Sequence, residues 1–299
     1  MLPETTLLYF DDEHAFAARL AGAADLAPRR VQRHRFPDGE LKLCLPDALG
    51  PRVVLLRSLD QPNEKLVELL LVARSAKALG ARHLTLVAPY LAYMRQDMAF
   101  TPGEAVSQRI VGRFLADLFD AIVTVDPHLH RVATLQEAVP SQQAIVLSGA
   151  PLLADLIAAR RPGALLMGPD AESAQWIAQA GSRHGFDTAV CTKLRHGDHA
   201  VDVALPAIAL AGRAVVLLDD VASTGHTVAQ AARMLRAAGA SSVDVAVTHD
   251  LFSPAAQHML HQAGVGEIWS TDSIAHRSNA VTVVALLAQA LRELEAAPA

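Results

Sequence analysis

Apolar runs of strand length alternate with amphipathic stretches along nearly the whole chain, and this alternation restricts the fold more than any other feature. In the first half, Thr6–Phe10, Val53–Arg57, Leu84–Ala88 and Ala121–Val125 read as strands, with helical patterns at Glu13–Ala24, Asn63–Leu79 and Ala105–Leu118. The second half repeats the pattern. Strands are expected near Ala164–Met167, Ala189–Thr192, Val215–Leu218, Val243–Thr248 and Ile268–Ser270, with helices near Glu172–His184, Val228–Ala238 and Ala255–Ala263. Strands joined through helices pair in parallel, so the pattern predicts an α/β protein with two mainly parallel sheets. A segment running from Ala78 through Gly80 to Val87 echoes one from Ala237 through Gly239 to Ala246, which suggests a duplicated domain, although helix, glycine and strand also punctuate any α/β chain. The boundary is placed near Val139–Gln142, giving domains at 1–142 and 143–280. The last helical pattern, Thr282–Glu295 within 281–299, carries an apolar stripe expected to pack back on the first domain.

With 299 residues, 52% hydrophobic and 19% charged, the chain has enough apolar material for two cores. A net charge of -5 gives no electrostatic reason to expect nucleic acid as a partner, so small anions would need local clusters of Lys and Arg. Cys44 and Cys191 alone make neither a disulfide framework nor a zinc knuckle, which suits a reducing cytoplasm. Glu4, Asp11, Asp12 and Glu13 are unlike a signal peptide, and polar residues interrupt every apolar run before it could span a membrane. The expectation is a soluble cytoplasmic protein.

The densest chemistry lies at Val215–Thr227, V-V-L-L-D-D-V-A-S-T-G-H-T. A strand buried on both faces would leave Asp219 and Asp220 at its carboxyl end, where open α/β sheets bind ligands. Beyond them Ser223, Thr224, Gly225 and Thr227 offer hydroxyls and backbone N–H groups to a phosphate at a helix start. The same residues would also serve as an ordinary helix cap. Four further segments fall at turns or strand ends. Arg35–Glu40 reads as a hairpin tip; Arg95 offers a forked cation on the long loop after Ala88; Asp126, His128 and His130 follow a strand; Lys193 and Arg195 alternate on a polar flap. Asp170 ends yet another strand.

In this order the segments resemble the ribose-phosphate diphosphokinases, which make phosphoribosyl diphosphate from ribose 5-phosphate and ATP. The resemblance runs through Phe36–Glu40, Pro62-Asn63-Glu64, Pro89-Tyr90 to Arg95-Gln96-Asp97, Pro102-Gly103-Glu104, Asp126-Pro127-His128, Asp170, Lys193-x-Arg195, Asp219–Thr227 and Thr271-Asp272. It implies two tandem type I phosphoribosyltransferase-like domains and a homo-oligomer, a dimer or higher, with ATP at a subunit interface. By the same resemblance Phe36, Asp38 and Glu40 reach a neighbour's adenine, and Arg95, Gln96, Asp97 and His128 hold ATP. Asp170, Asp219, Asp220, Ser223, Thr224, Gly225, His226 and Thr227 receive ribose 5-phosphate. Asp126, His128 and Asp170 hold Mg2+, and Lys193 and Arg195 stabilise the transferring group.

The chain departs from the family pattern at Met98-Ala99-Phe100, where a basic pair is usual after Arg95-Gln96-Asp97, at Ser223, where many bacterial members have an acid, and at His226, which replaces a small residue. Two alternatives stand beside the synthetase reading: a plain phosphoribosyltransferase, which would share only Asp219–Thr227, and a non-catalytic homologue that regulates an active synthetase.

Overall fold

The computed structural model describes residues 5–196 and 200–296, with side chains for 5–192 and 204–295. The chain divides into two compact units, one running to Leu147 and resuming at Val283, the other Ser148–Thr282.

The first unit contains β1 (Thr5–Tyr9), α1 (His14–Ala24), β2 (Ala27–Arg30), β3 (Gln32–Arg35), β4 (Leu41–Cys44), β5 (Arg52–Leu56), α2 (Pro62–Ala78), β6 (His83–Ala88), α3 (Ser107–Leu118), β7 (Ala121–Val125), α4 (Leu135–Ala138) and β8 (Gln143–Leu147). Six strands form one parallel sheet in the order β2-β1-β5-β6-β7-β8, and β3 and β4 make a separate antiparallel hairpin. Every residue of β1 and β7 is buried, as expected of strands covered on both faces.

The second unit contains α5 (Ala150–Arg160), β9 (Leu165–Gly168), α6 (Ala174–His184), β10 (Thr188–Val190), β11 (Thr192–His196), β12 (Ala200–Ala204), β13 (Ala214–Ala222), α7 (His226–Ala237), β14 (Ser242–Asp250), α8 (Pro254–Gln262), β15 (Val265–Thr271) and β16 (Asn279–Val281). Its parallel sheet has the order β10-β9-β13-β14-β15-β16, again with a separate two-stranded ribbon, β11-β12. The two sheets therefore have the same topology, strand for strand. The echo between Ala78–Val87 and Ala237–Ala246 falls at equivalent places, the passages from α2 to β6 and from α7 to β14.

A boundary at 142/143 would cut β8 away from the sheet it completes, because Gln143–Leu147 pairs with β7. The division lies after Leu147 instead. The final helix, α9 (Val284–Ala296), buries Leu287 and Leu291 in the first unit, where Arg292 donates to the Ala23 carbonyl at 2.6 Å. Among the described residues no helix is long and apolar enough to cross a membrane.

Each sheet reverses its winding between two neighbouring strands: β1 and β5 in the first unit, β9 and β13 in the second. Such a switch point opens a crevice at the carboxyl ends of the strands, the usual ligand position in open α/β sheets. The fold thus offers two equivalent crevices, and their residues differ sharply.

Candidate active site

In the second unit the crevice is acidic. β13 runs farther than the apolar run alone predicts, through Asp219 and Asp220 to Ala222, because Asp219, Val221 and Ala222 continue the pairing with Val247, His249 and Asp250 of β14. Asp170, two residues beyond β9, is buried and accepts a 3.0 Å bond from the Glu172 N–H, capping a short 3-10 turn. Asp220 is also buried, and its Oδ1 accepts from the Val221 N–H at 2.7 Å. Asp219 accepts from the Asp220 N–H at 3.0 Å. Burial first, then the charges of Asp220 and Asp170, hold the Asp219 carboxyl well above the usual carboxylate range. Cys191 lies close by, its thiol pushed up to about 11 by burial and by Asp170, so it is not a nucleophile.

Beyond β13, Ser223 and Thr224 lead to Gly225 at φ 75, and α7 begins at His226, two residues earlier than its apolar periodicity suggests. The left-handed turn at Gly225 is what lets the chain enter the helix so abruptly. The N-cap residue of α7 is Gly225, which offers no side chain to the first turn, and both Thr224 and His226 are exposed. N–H groups at a helix start with hydroxyls beside them suit a phosphate.

In the first unit the equivalent crevice is filled. Arg57, just past β5, is 1% exposed and donates from Nε to Glu68 Oε2 at 2.7 Å and from Nη1 to Asp12 Oδ2 at 2.8 Å. Glu13 Oε2 lies 3.3 Å from the same Nη1, and its Oε1 accepts from the Ser58 N–H at 2.6 Å. Arg33, from β3, donates to the other oxygen of Glu68. Both guanidiniums lie over the ring of Phe10, at 4.6 Å for Arg57 and 5.5 Å for Arg33. Two guanidiniums face three carboxylates, and burial raises Glu13 to about 7 against the opposing pull of Arg57. A proton on Glu13 makes the cluster neutral.

The long loop after β6 forms a cavity of about 480 Å³ lined by Tyr90, Tyr93, Arg95, Gln96, Glu104, Ala105 and Ser107. Glu104 ties the loop together: it accepts from the N–H groups of Phe100 at 2.6 Å and Thr101 at 3.0 Å, and from the Gln96 amide at 2.9 Å. The bond from Phe100, then that from Thr101, holds its carboxyl pKa below the ordinary glutamate value. Gln96 therefore braces the loop, while Arg95 lines the cavity. Asp97 is buried and accepts from Arg131 Nη1 at 2.6 Å, and Arg131 also lies 5.8 Å from the Phe100 ring centroid. Asp126 follows β7 at φ 36, and His128 stacks with His130 at 6.5 Å.

The hairpin tip is exposed at Phe36, Asp38 and Glu40. The Gly39 N–H bonds to the Phe36 carbonyl at 2.9 Å and the Glu40 N–H to Asp38 Oδ1 at 3.2 Å, while His34 meets the Phe36 ring edge to face. Lys193 and Arg195 belong to β11, and their side chains lie outside the described residues.

Among the described residues no three His, Cys, Asp or Glu side chains are grouped to hold a metal ion. Of the residues expected to hold one, Asp126 and His128 belong to the first unit and Asp170 to the second. A hard cation that arrives with polyphosphate needs only one or two carboxylates and keeps its remaining positions for phosphate and water. The mutually repelling Asp170, Asp219 and Asp220 are suited to one.

The N-terminal domain of ribose phosphate pyrophosphokinase matches residues 5–118, and the phosphoribosyl synthetase-associated domain matches residues 205–295. The chain is 35% identical over 275 residues to the ribose-phosphate pyrophosphokinase of Methanopyrus kandleri, covering 91% of this chain and 92% of that one. The chain belongs to the ribose-phosphate pyrophosphokinase family. Ribose-phosphate pyrophosphokinase 2 of Archaeoglobus fulgidus is 32% identical over 276 residues, 91% of this chain and 95% of that one. The phosphoribosylpyrophosphate synthetase of Mycobacterium smegmatis has the same fold, with a TM-score of 0.84 at 25% identity over 98% of this chain and 99% of that one.

Within this pyrophosphokinase framework, two features escape a reading of the sequence. Arg57 and Glu68 sit inside an apolar strand and a leucine-rich helix, where nothing local marks them as partners. Arg131 comes from the loop after β7 to the neighbourhood of Met98-Ala99, which lacks the family's basic pair. Only folding brings these residues together.

Proposed function

We propose that this chain transfers the diphosphate of ATP to the anomeric hydroxyl of ribose 5-phosphate, giving phosphoribosyl diphosphate and AMP. The observation that carries the reading is the contrast between the crevices: three carboxylates and a glycine-capped, hydroxyl-rich helix start in the second unit, a closed ion cluster in the first. Family membership supports it independently.

In this reading the 5-phosphate binds at Ser223–Thr227 and the ribose hydroxyls bond to Asp219, Asp220 and Asp170. ATP is held by Arg95, by Asp97 and His128, and by Phe36, Asp38 and Glu40 of a neighbouring subunit, which makes activity depend on a homo-oligomer. The exposed apolar residues Phe36, Val67, Leu70 and Ile110 of the first unit are consistent with such association. Mg2+, when bound, would neutralise the polyphosphate, and Asp126, His128 and the acidic crevice are the residues suited to hold it.

The anomeric oxygen attacks the β-phosphorus in line. The bond from that phosphorus to the α,β-bridging oxygen breaks, AMP leaves with the bridging oxygen, and the hydroxyl proton passes to solvent. Lys193 and Arg195 stabilise the equatorial oxygens, a role whose loss typically costs about 10²–10³-fold in rate. No residue is required as a strong base when the transition state is loose.

The test is a panel of nucleotides and pentose phosphates with Mg2+, read by phosphorus NMR, together with Lys193→Ala. AMP and phosphoribosyl diphosphate should form, and the variant should lose activity while keeping its circular dichroism spectrum. Absence of AMP with every donor would overturn the reading.

A further inference from the structure

The β3–β4 hairpin shares no ladder with the first sheet. At its base the Val31 N–H bonds to the Tyr9 carbonyl at 2.8 Å, and Leu43 packs on the core. Neither contact sets the angle at which the tip projects, since a single bond and a non-directional contact both tolerate rotation. The directional contacts are ion pairs. Arg33 bonds one oxygen of Glu68, Arg57 holds the other at 2.7 Å, and Arg35 bonds Glu64 on α2.

Glu68 is completely buried, and Arg57 is shared between it, Asp12 and Glu13. A buried ion pair gains little net stability over apolar packing, and its best-attested use is to fix one arrangement among several. The second guanidinium, reaching in from the hairpin, completes the charge balance and at the same time ties the hairpin's orientation to α2. The duplicated topology gives the same indication. One residue separates β2 from β3 and β10 from β11, so Arg33 and Arg35 occupy the positions that Lys193 and Arg195 occupy in the second unit. In the first unit both cations are committed to α2.

We propose that Arg33, acting through the Glu68 carboxylate that Arg57 holds, is a positioning residue that aims Phe36, Asp38 and Glu40 at the nucleotide. The inference rests on the reading of that tip as an adenine contact. Phe36 lies three residues beyond Arg33, about 10 Å along an extended strand. A rotation of about 10° at Arg33 thus moves the tip by about 2 Å, enough to spoil a stacking contact without touching the reacting phosphate.

The test measures kcat and both KM values for wild type, Arg33→Ala and Arg33→Lys, with the melting temperature and the mass in solution. Arg33→Ala should raise KM for ATP about tenfold or more, leave KM for ribose 5-phosphate within about twofold and kcat within about threefold, and keep the wild-type mass. Arg33→Lys, which keeps the charge and loses the fork, should fall between. An unchanged KM for ATP in both variants, or an equal loss toward both substrates, would overturn the proposal. If Arg33→Ala does not fold, Arg33→Lys decides alone: a raised KM for ATP supports the positioning role and a wild-type value refutes it. A wild type that forms no AMP refutes the activity itself, a result distinct from an active wild type whose Arg33 variants bind ATP normally.

Discussion

Arg57 on the first sheet occupies the position that Asp219 occupies on the second. Thr6 pairs with Val53, and Leu165 pairs with Val215; Arg57 and Asp219 each lie four residues beyond these partners, at the mouth of equivalent crevices. A guanidinium there draws in Glu68, Asp12 and Glu13 and closes the crevice. A carboxylate there repels Asp220 and Asp170 and keeps the crevice ready for a cation and a polyol. One framework thus carries a structural ion cluster in one copy and a candidate ligand site in the other.

Asp220→Asn should raise stability while lowering activity. The amide keeps the bond from the Val221 N–H but removes one of the charges that push the Asp219 carboxyl above the usual carboxylate range. Relief of this order, about 1 kcal/mol, should raise the melting temperature by about 2–4 °C. Activity with ribose 5-phosphate should fall by about 10²-fold or more, as for a lost transition-state contact. Calorimetry and steady-state kinetics on the same preparation check both.

Glu13 gives the first unit a pH dependence. Its folded-state value of about 7 lies above its ordinary 4.5, so the folded state binds the extra proton between those limits. Its contribution to stability is fully present below about pH 4.5 and is lost as pH rises through about 7. Glu13→Gln, whose carbonyl can still accept from the Ser58 N–H, should match wild type at pH 5. At pH 8 it should be more stable by about 1–3 kcal/mol, read from urea midpoints.

Much of this arrangement was legible in the amino-acid sequence. Buried parallel strands such as Ala121–Val125 announce themselves as unbroken apolar runs, and the observed β7 has those bounds. Edge strands do not. β2 is Ala-Pro-Arg-Arg, with a proline and two exposed arginines, and only its place beside β1 makes it a strand. The acids and the glycine turn of Asp219–Thr227 were visible because one short segment holds them all. The Arg33–Glu68–Arg57 cluster was not, because its members come from a hairpin, a helix and a strand whose convergence is a property of the topology.

Gly225→Ala tests the phosphate turn. The nearest atoms, on Met259 and Phe252, are 3.4 Å from an added Cβ, so space is adequate and the cost is the left-handed φ of 75, about 1 kcal/mol. The variant should fold, and its KM for ribose 5-phosphate should rise about tenfold while KM for ATP stays within about twofold. Equal changes in both would show that the turn does not hold the acceptor.

The central claim is a diphosphate transfer in one step, and ATP labelled with ³²P at the β-phosphorus tests it most directly. With ribose 5-phosphate and Mg2+, the label should appear in phosphoribosyl diphosphate in amounts equal to the AMP released. Label retained in ADP, or phosphoribosyl diphosphate formed without matching AMP, would contradict the account.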